Sequence, residues 1–330
     1  MFTLLLTLWL HYPQITKQET PVDARLIRVN KIWDNAPHSA FTDLVYWKNQ
    51  FVCAFRTGQG HVSADGALQI LSSEDGSLWK PLSSITSDLA DLRDPKLCLG
   101  NQNELLLYSA AALHDKSKHT HQTYVWSSPD GKNWSPPQPL GDPNTWIWRV
   151  TRTPQNTFLG WGYDCSQERF VQLFTSTNGT QFLHHTGKLL LGQGYPNETA
   201  TVIEGDHAWC LLRRDGQPPL DKAMLGISKA PYQEWNWKEL DQKIGGPALL
   251  RLPNGTFLAV VRLYTPRVRT VLCRVDTATP QLHELLTLPS GGDCSYAGLV
   301  WHQSRLYISY YSSHEGKSSI YFAEVEIKQE

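Results

Sequence analysis

Methionine is scarce in this sequence, two residues in 330, and no apolar run approaches the roughly 20 residues that span a bilayer as a helix. Charged residues are also sparse, 18% against roughly 25% in an average globular domain. They are nearly balanced, 30 Lys+Arg against 31 Asp+Glu. Without a basic excess, a dedicated nucleic-acid binder is excluded. The six cysteines (Cys53, Cys98, Cys165, Cys210, Cys273, Cys294) contain no CxxC pair and no zinc spacing. Four of them lie in apolar strand-like runs (FVCAF, KLCL, WCLL, VLCR), as buried free thiols do. No phosphate loop or dinucleotide fingerprint occurs. His119 and His121 form an HxH pair in the polar stretch HDKSKHTHQ with no further ligands at suitable spacing, so neither a cofactor nor a metal is expected.

Hydrophobic and aromatic residues are plentiful: 41% hydrophobic, with 13 Trp, 13 Tyr and 10 Phe. Such a chain buries enough apolar surface to offset its ordering entropy, so dominant disorder is excluded. The first ten residues, MFTLLLTLWL, have the apolar character of a secretory signal but lack its basic start and a small-x-small cleavage site. Residues 1–24 are therefore read as a tail or an incomplete signal. A secreted or periplasmic chain and a cytoplasmic one both remain open, as does the oligomeric state.

One unit, an apolar strand, a polar turn and a second apolar strand, recurs through the chain. It begins at Asp43 (DLVYWKNQFVCAFR), Asp94, Trp148, Glu198, Gly246 and Tyr296, with separations of 51, 54, 50, 48 and 50 residues. That period suits a four-stranded propeller blade, and six blades fill the chain. The last blade shows three strands in sequence, and Arg25–Ile32 (RLIRVNKI) alternates apolar and polar so that it can supply the fourth. The expectation is an all-β, six-bladed β-propeller of residues 25–330, closed by the strand at 25–32, which also removes an exposed edge. Between the hairpins lie Ser73–Trp79 (SEDGSLW) and Ser128–Trp134 (SPDGKNW), with a degenerate third copy at Ser176–Phe182 (STNGTQF). In such turns Asp or Asn bonds nearby backbone N–H groups, Gly takes positive φ, and the aromatic packs back on the sheet.

These turns resemble the Asp-box, or BNR repeat, of sialidases and related six-bladed propellers, and the resemblance covers residues 33 to 327. The boxes mark the architecture and carry no chemistry, so Asp75 and Asp130 are read as structural. With strand one of each blade at the axis, the starts of first strands, the ends of second strands and the loops that follow share one mouth. First-strand starts contribute Asp94, Arg149, Glu198 and Tyr296. Second-strand ends contribute Arg56, Tyr163, Arg213 or Arg214, Arg262 and Tyr310. The loops contribute His61, Asp65, His314 and Glu315.

Tyrosine is a weak nucleophile at neutral pH because its pKa lies near 10, and a carboxylate beside it can serve as its base. Sialidases are the glycosidases with a tyrosine nucleophile. The chain resembles them at several points, and the resemblance implies Tyr296 as nucleophile, Glu198 in GYPNETATVI as its activator, and Asp65 in GHVSADGAL as acid/base. It also implies Arg213 and Arg262 as substrate-binding arginines. The family's first arginine, in its Arg-Ile-Pro motif, is missing: the matching stretch is His38-Ser-Ala-Phe-Thr-Asp43. Bidentate arginines make carboxylate recognition tight, so this loss speaks against sialic acid itself. Arg56, from the same blade, is a candidate substitute. The reading is a sialidase-like exo-glycosidase acting on a carbohydrate, an acidic sugar being one option, with Arg213, Arg262, Arg56, Arg149, His38 and His61 in substrate binding. Two alternatives stay open. A propeller polysaccharide lyase would use His38 and His61 as acid/base groups with Arg149, Tyr108 and Tyr163. A non-catalytic sugar-binding propeller would use Trp146, Trp148 and Trp161 as stacking platforms.

Overall fold

A computed structural model describes residues 22–329. Residues 1–21, most of the segment read as a tail or signal, lie outside the described residues. The described chain is all β: six four-stranded antiparallel sheets form the blades of a six-bladed propeller. After β1 (Val22–Trp33), the first blade is β2 (His38–Trp47), β3 (Gln50–Gly58), β4 (Ala67–Ser73) and β5 (Lys80–Ile85). The second is β6 (Ala90–Leu99), β7 (Leu105–Leu113), β8 (His121–Ser128) and β9 (Gln138–Leu140). The third is β10 (Thr145–Arg152), β11 (Phe158–Asp164), β12 (Val171–Ser176) and β13 (Leu183–His184). The fourth is β14 (Tyr195–Glu204), β15 (His207–Asp215), β16 (Met224–Lys229) and β17 (Asn236–Glu239). The fifth is β18 (Gly245–Arg251), β19 (Phe257–Leu263), β20 (Arg269–Asp276) and β21 (Gln281–Thr287). The sixth has β22 (Cys294–His302), β23 (Arg305–Ser312) and β24 (Ser319–Gln329), and β1 pairs antiparallel with β24, Arg25 opposite Glu326 and Val29 opposite Ala323.

Apolar clusters fill the wedges between blades. Trp47, Val52 and Leu68 of the first blade pack with Leu92, Leu105 and Trp126 of the second. The turns at 73–79, 128–134 and 176–182 share one geometry. In the first, Asp75 Oδ1 accepts the N–H groups of Ser77 (2.8 Å) and Leu78 (3.1 Å), while Gly76 takes φ +72°. Those hydrogen bonds hold the Asp75 carboxyl below its ordinary range, so this acid is occupied in shaping the turn.

One local device recurs in every blade. Each first strand carries a β-bulge near its start: one extra residue breaks the pairing between Ala40 and Asp43, Arg93 and Lys96, Ile147 and Arg149, Pro196 and Thr199, Gly245 and Ala248, and Ser295 and Gly298. A bulge re-aims the side chains beside it. Four of the bulges hold a residue at positive φ: Phe41 (62°), Asp94 (49°), Gly246 (54°) and Tyr296 (53°). Below them a buried polar network ties the blades at the axis. Arg149 Nη1 meets Asp43 Oδ1 at 3.0 Å, the Leu97 N–H donates to Asp43 Oδ2 at 2.8 Å, and the Thr42 hydroxyl donates to the Tyr296 carbonyl at 2.9 Å.

Candidate active site

The bulges build the mouth of the funnel. A cavity of about 690 Å³ there is lined by the bulge residues Phe41, Asp94, Trp148, Glu198 and Tyr296, together with His61, Arg93, Trp146, Tyr163, Arg213 and Arg262. Its volume falls in the range of small-molecule sites, roughly 300–1,000 Å³.

Glu198 and Tyr296, 98 residues apart in sequence, meet on the floor. The Tyr296 hydroxyl donates to Glu198 Oε1 at 2.7 Å. Arg213 Nη1 donates to both oxygens, at 2.8 Å each. Glu198 Oε2 accepts the Gly246 N–H at 2.8 Å, so the carboxylate is fixed at both ends. Burial pushes the Tyr296 phenol well above its ordinary range, and the charge of Glu198 pushes in the same direction against Arg213 and Arg262. The phenol is therefore protonated at rest.

A second group sits beside this pair. Asp293, in the loop before β22, accepts from the Tyr311 hydroxyl (2.6 Å) and Arg262 Nη2 (3.1 Å) through Oδ1. Its Oδ2 meets His61 Nδ1 at 2.7 Å and His38 Nε2 at 3.2 Å. Burial acts to raise the Asp293 carboxyl, but the hydrogen bonds from His38, His61 and Tyr311 outweigh it and hold it well below the carboxylate range. These nitrogen and oxygen atoms lie within 4.8 Å of one another. Because Oδ1 is tied to Arg262 and Tyr311 and Oδ2 already bridges both imidazoles, the arrangement is a hydrogen-bonded cluster rather than a metal cage.

Asp94 is, with Glu198, one of two acids lining the cavity. It is 4% exposed, Oδ1 is buried without a partner, and burial pushes its carboxyl up to about 6 against the pull of Arg93 and Lys96. The cavity's arginines are matched by carboxylates. Arg213 pairs with Glu198 and Asp215, Arg262 with Asp293, and Arg93 with Asp91 at 3.2 Å and Asp94 at 3.8 Å. Trp146 stacks on Tyr163 with centroids 5.7 Å apart, and Trp148 meets Tyr296 edge-on at 5.7 Å, forming an aromatic wall.

Other residues singled out from the sequence lie elsewhere. Arg56 is fully buried behind the cavity: Nε donates to Asp91 at 2.8 Å, and its terminal nitrogens donate to the Gly60 and Ser63 carbonyls, bracing the loop that carries His61. Asp65 is exposed and does not line the cavity. It accepts the Gln59 N–H, and Ser63 and Gln59 hold its carboxyl below the ordinary range. Arg149 belongs to the axial network, because the bulge in β10 turns Trp148, not Arg149, into the cavity. The Tyr108 hydroxyl donates to the Gly179 carbonyl, in the turn between β12 and β13, and Trp161 is buried against Trp235 and Trp237. Tyr310 donates to the Pro289 carbonyl, and its neighbour Tyr311 is the tyrosine that reaches Arg262. Asp293, Tyr311, Arg93 and Phe41 were absent from the sequence-derived set. Asp293 immediately precedes the start of β22, beside the first-strand starts that form the mouth.

Among the described residues no helix is long and apolar enough to cross a membrane. No family model and no curated protein matches the sequence. Solved structures do match in fold. A protein of unknown function from Dyadobacter fermentans is similar with a TM-score of 0.79 and 19% identity over 93% of this chain and 100% of that one. A Trypanosoma rangeli sialidase in complex with the inhibitor DANA has a TM-score of 0.69 and 12% identity over 93% of this chain, which spans 60% of that protein. The α-L-arabinofuranosidase Arb93A from Fusarium graminearum, in complex with an iminosugar inhibitor, has a TM-score of 0.69 and 16% identity over 91% of this chain and 98% of that one. The chain thus shares the six-bladed propeller architecture of these sialidase and arabinofuranosidase structures.

Proposed function

We propose that the chain is an exo-acting glycoside hydrolase in which Tyr296 attacks the anomeric carbon and Glu198 takes its proton. The observation that carries this reading is the 2.7 Å hydrogen bond from the phenol to Glu198 Oε1 on the floor of a sugar-sized cavity. Because the phenol is protonated at rest, its proton leaves as the new bond forms, and Glu198 lies in line to receive it. Arg213 spans both oxygens and stabilises the charge that passes between them. Trp146, Trp148 and Tyr163 offer an apolar wall to the face of the sugar ring.

The charge pattern favours a sugar without a carboxylate at the anomeric carbon. Each cavity arginine already faces a protein carboxylate, and Asp293 occupies the Arg262 guanidinium that a substrate carboxylate would need. Ala40 and Phe41 stand in the stretch where sialidases carry their first arginine. The fold neighbours include both a sialidase and an arabinofuranosidase, and the paired arginines align this chain with neutral glycosides. Asp65, outside the cavity wall and held ionised, is a poor acid for the leaving group. The lyase reading is weaker because Tyr108 and Arg149 do not line the cavity.

The test is a panel of aryl glycosides and uronate-containing polysaccharides with product analysis on wild type and Tyr296→Phe. Released neutral sugar that Tyr296→Phe no longer produces supports the reading. An unsaturated uronate product, or no turnover on any glycoside, overturns it.

A further inference from the structure

The hydrolase reading leaves one chemical task unassigned: the leaving oxygen needs a proton, and the water that later attacks must lose one. We infer that His61, oriented by Asp293, is the proton carrier for both steps, an Asp–His dyad set against the Tyr296–Glu198 pair. The inference rests on the glycosidase reading above and adds to it a catalytic residue and a positioning one.

The geometry carries it. His61 lines the cavity, and its side chain is 49% exposed there. Its Nδ1 lies 2.7 Å from Asp293 Oδ2, which fixes Nδ1 as the donor and leaves Nε2 to exchange protons with a bound group. Asp293 is itself clamped, by Tyr311 and Arg262 on Oδ1 and by His38 on Oδ2, so the carboxylate cannot swing away from the imidazole. Phe41 closes the ring from below, 5.1 Å from the His61 ring and 5.2 Å from the Tyr296 ring, edge-on to both. One bulge residue thus spaces the dyad from the nucleophile. The loop that carries His61 is braced by Arg56 and by Arg93, whose Nη1 donates to the His61 carbonyl at 3.0 Å. Asp293 before β22 and His38 on β2 meet the imidazole directly, Asp94 on β6 acts on it electrostatically, Arg93 holds its carbonyl, and Lys116, Glu198, Arg213 and Arg262 line the same cavity.

The proton balance closes. In the first step the Tyr296 oxygen bonds to the anomeric carbon as the bond to the leaving oxygen breaks. The phenol proton passes to Glu198, and the Nε2 proton of His61 passes to the leaving oxygen. In the second step water attacks the same carbon and gives a proton to His61 Nε2. The bond to Tyr296 breaks, and Glu198 returns its proton to the phenolate.

A leaving group that departs without a proton separates this role from a structural one. The experiment compares kcat/KM for a dinitrophenyl glycoside and an alkyl glycoside of the sugar found active, using wild type, His61→Gln, Asp293→Asn and Tyr296→Phe across pH 5 to 9. General acid catalysis contributes about 10²–10⁴-fold. His61→Gln is expected to lose at least about 10²-fold on the alkyl glycoside and under about 10-fold on the dinitrophenyl one, with the limb of the pH profile that reports the acid removed. Asp293→Asn should show the same leaving-group pattern more weakly, and Tyr296→Phe should fail on both substrates. Equal losses of His61→Gln on both substrates, or none on either, overturn the dyad while leaving the hydrolase reading intact. A wild type that cleaves no glycoside removes both. Loss of wild-type activity in EDTA with recovery on added Zn²⁺ overturns the proton role in favour of a metal held by the same side chains.

Discussion

Gly246→Ala is the most informative single-atom change at this site. Gly246 adopts φ +54°, and its N–H holds Glu198 Oε2 at 2.8 Å. A Cβ there would lie 2.6 Å from Cδ2 and 2.7 Å from Cγ of Tyr296, inside any real contact distance. The left-handed backbone costs an alanine about 1–2 kcal/mol, and relieving the clash in a packed site adds about 1–3 kcal/mol. Spread over a domain of this size, a loss of about 2–5 kcal/mol lowers Tm by about 3–8 °C. The ring can only move away from β18, and a displacement of about 1 Å at a reacting group costs about 10²-fold in rate. Thermal melts and kcat/KM on the active aryl glycoside measure both effects. Gly255→Ala is the control. It also has positive φ (101°), but its Cβ meets only the flexible end of Arg251, so it should lower Tm without touching activity. A Gly246→Ala protein melting with wild type and retaining its kcat/KM would refute the packing argument and the place given to Tyr296.

Further outcomes follow from other parts of the structure. Asp94, pushed up to about 6 from 3.8 by burial, disfavours ionisation in the folded state, so its stabilising contribution is full below about pH 4 and is lost as pH rises through about 6. Asp94→Asn should therefore gain Tm relative to wild type progressively between pH 4 and about 7, by up to about 3 kcal/mol in stability, and a constant difference across that window contradicts the burial argument. Arg56→Met leaves buried Asp91 with only the 3.2 Å contact of Arg93 and should cost about 1.5–3 kcal/mol by chemical denaturation, with activity falling as the His61 loop loosens. Aryl sialosides should be turned over at least about 10²-fold less efficiently than the best neutral glycoside, since a lost pair of charge-assisted hydrogen bonds contributes about 1.5–3 kcal/mol each; parity in kcat/KM would show that the paired arginines still open to a carboxylate. Removing residues 1–33 exposes the edge of β24 along its length and should yield aggregated protein by size-exclusion chromatography.

The fold was legible because each blade repeats the same hairpin at a nearly constant spacing, and because the last blade visibly lacked a strand. Half of the candidate site was legible for the same reason. Counting strand starts and ends puts Glu198, Tyr296, Arg213 and Arg262 on the mouth, and all four line the cavity. What the count missed comes from the bulges. Its position at a first-strand start assigned Arg149 to the mouth, but the extra residue in β10 turns Trp148 inward and sends Arg149 to Asp43. The strand-end rule likewise named Tyr310 where Tyr311 is the residue that reaches Arg262, and nothing in CSYAG marks a bulge in advance. Arg56 looked like a substrate arginine because sequence shows the charge and not its partner. Asp91 and the carbonyls of Gly60 and Ser63 use that charge to build the loop instead. Asp293, in the loop GGDC, adjoins the start of a first strand and so lies close to the mouth, but a lone acid beside two glycines reads as a turn until His38 and His61 are seen to converge on it.

The proposed chemistry turns on which atom bonds to the sugar. A 2-deoxy-2-fluoro glycosyl fluoride of the active sugar slows both steps and accumulates the covalent intermediate, which intact mass and peptide mapping then locate. One glycosyl adduct per chain is expected, on the peptide carrying Tyr296, absent from Tyr296→Phe and slowed in Glu198→Gln. An adduct on Glu198, or on no residue while the wild type turns over its substrate with inversion at the anomeric carbon, would contradict it.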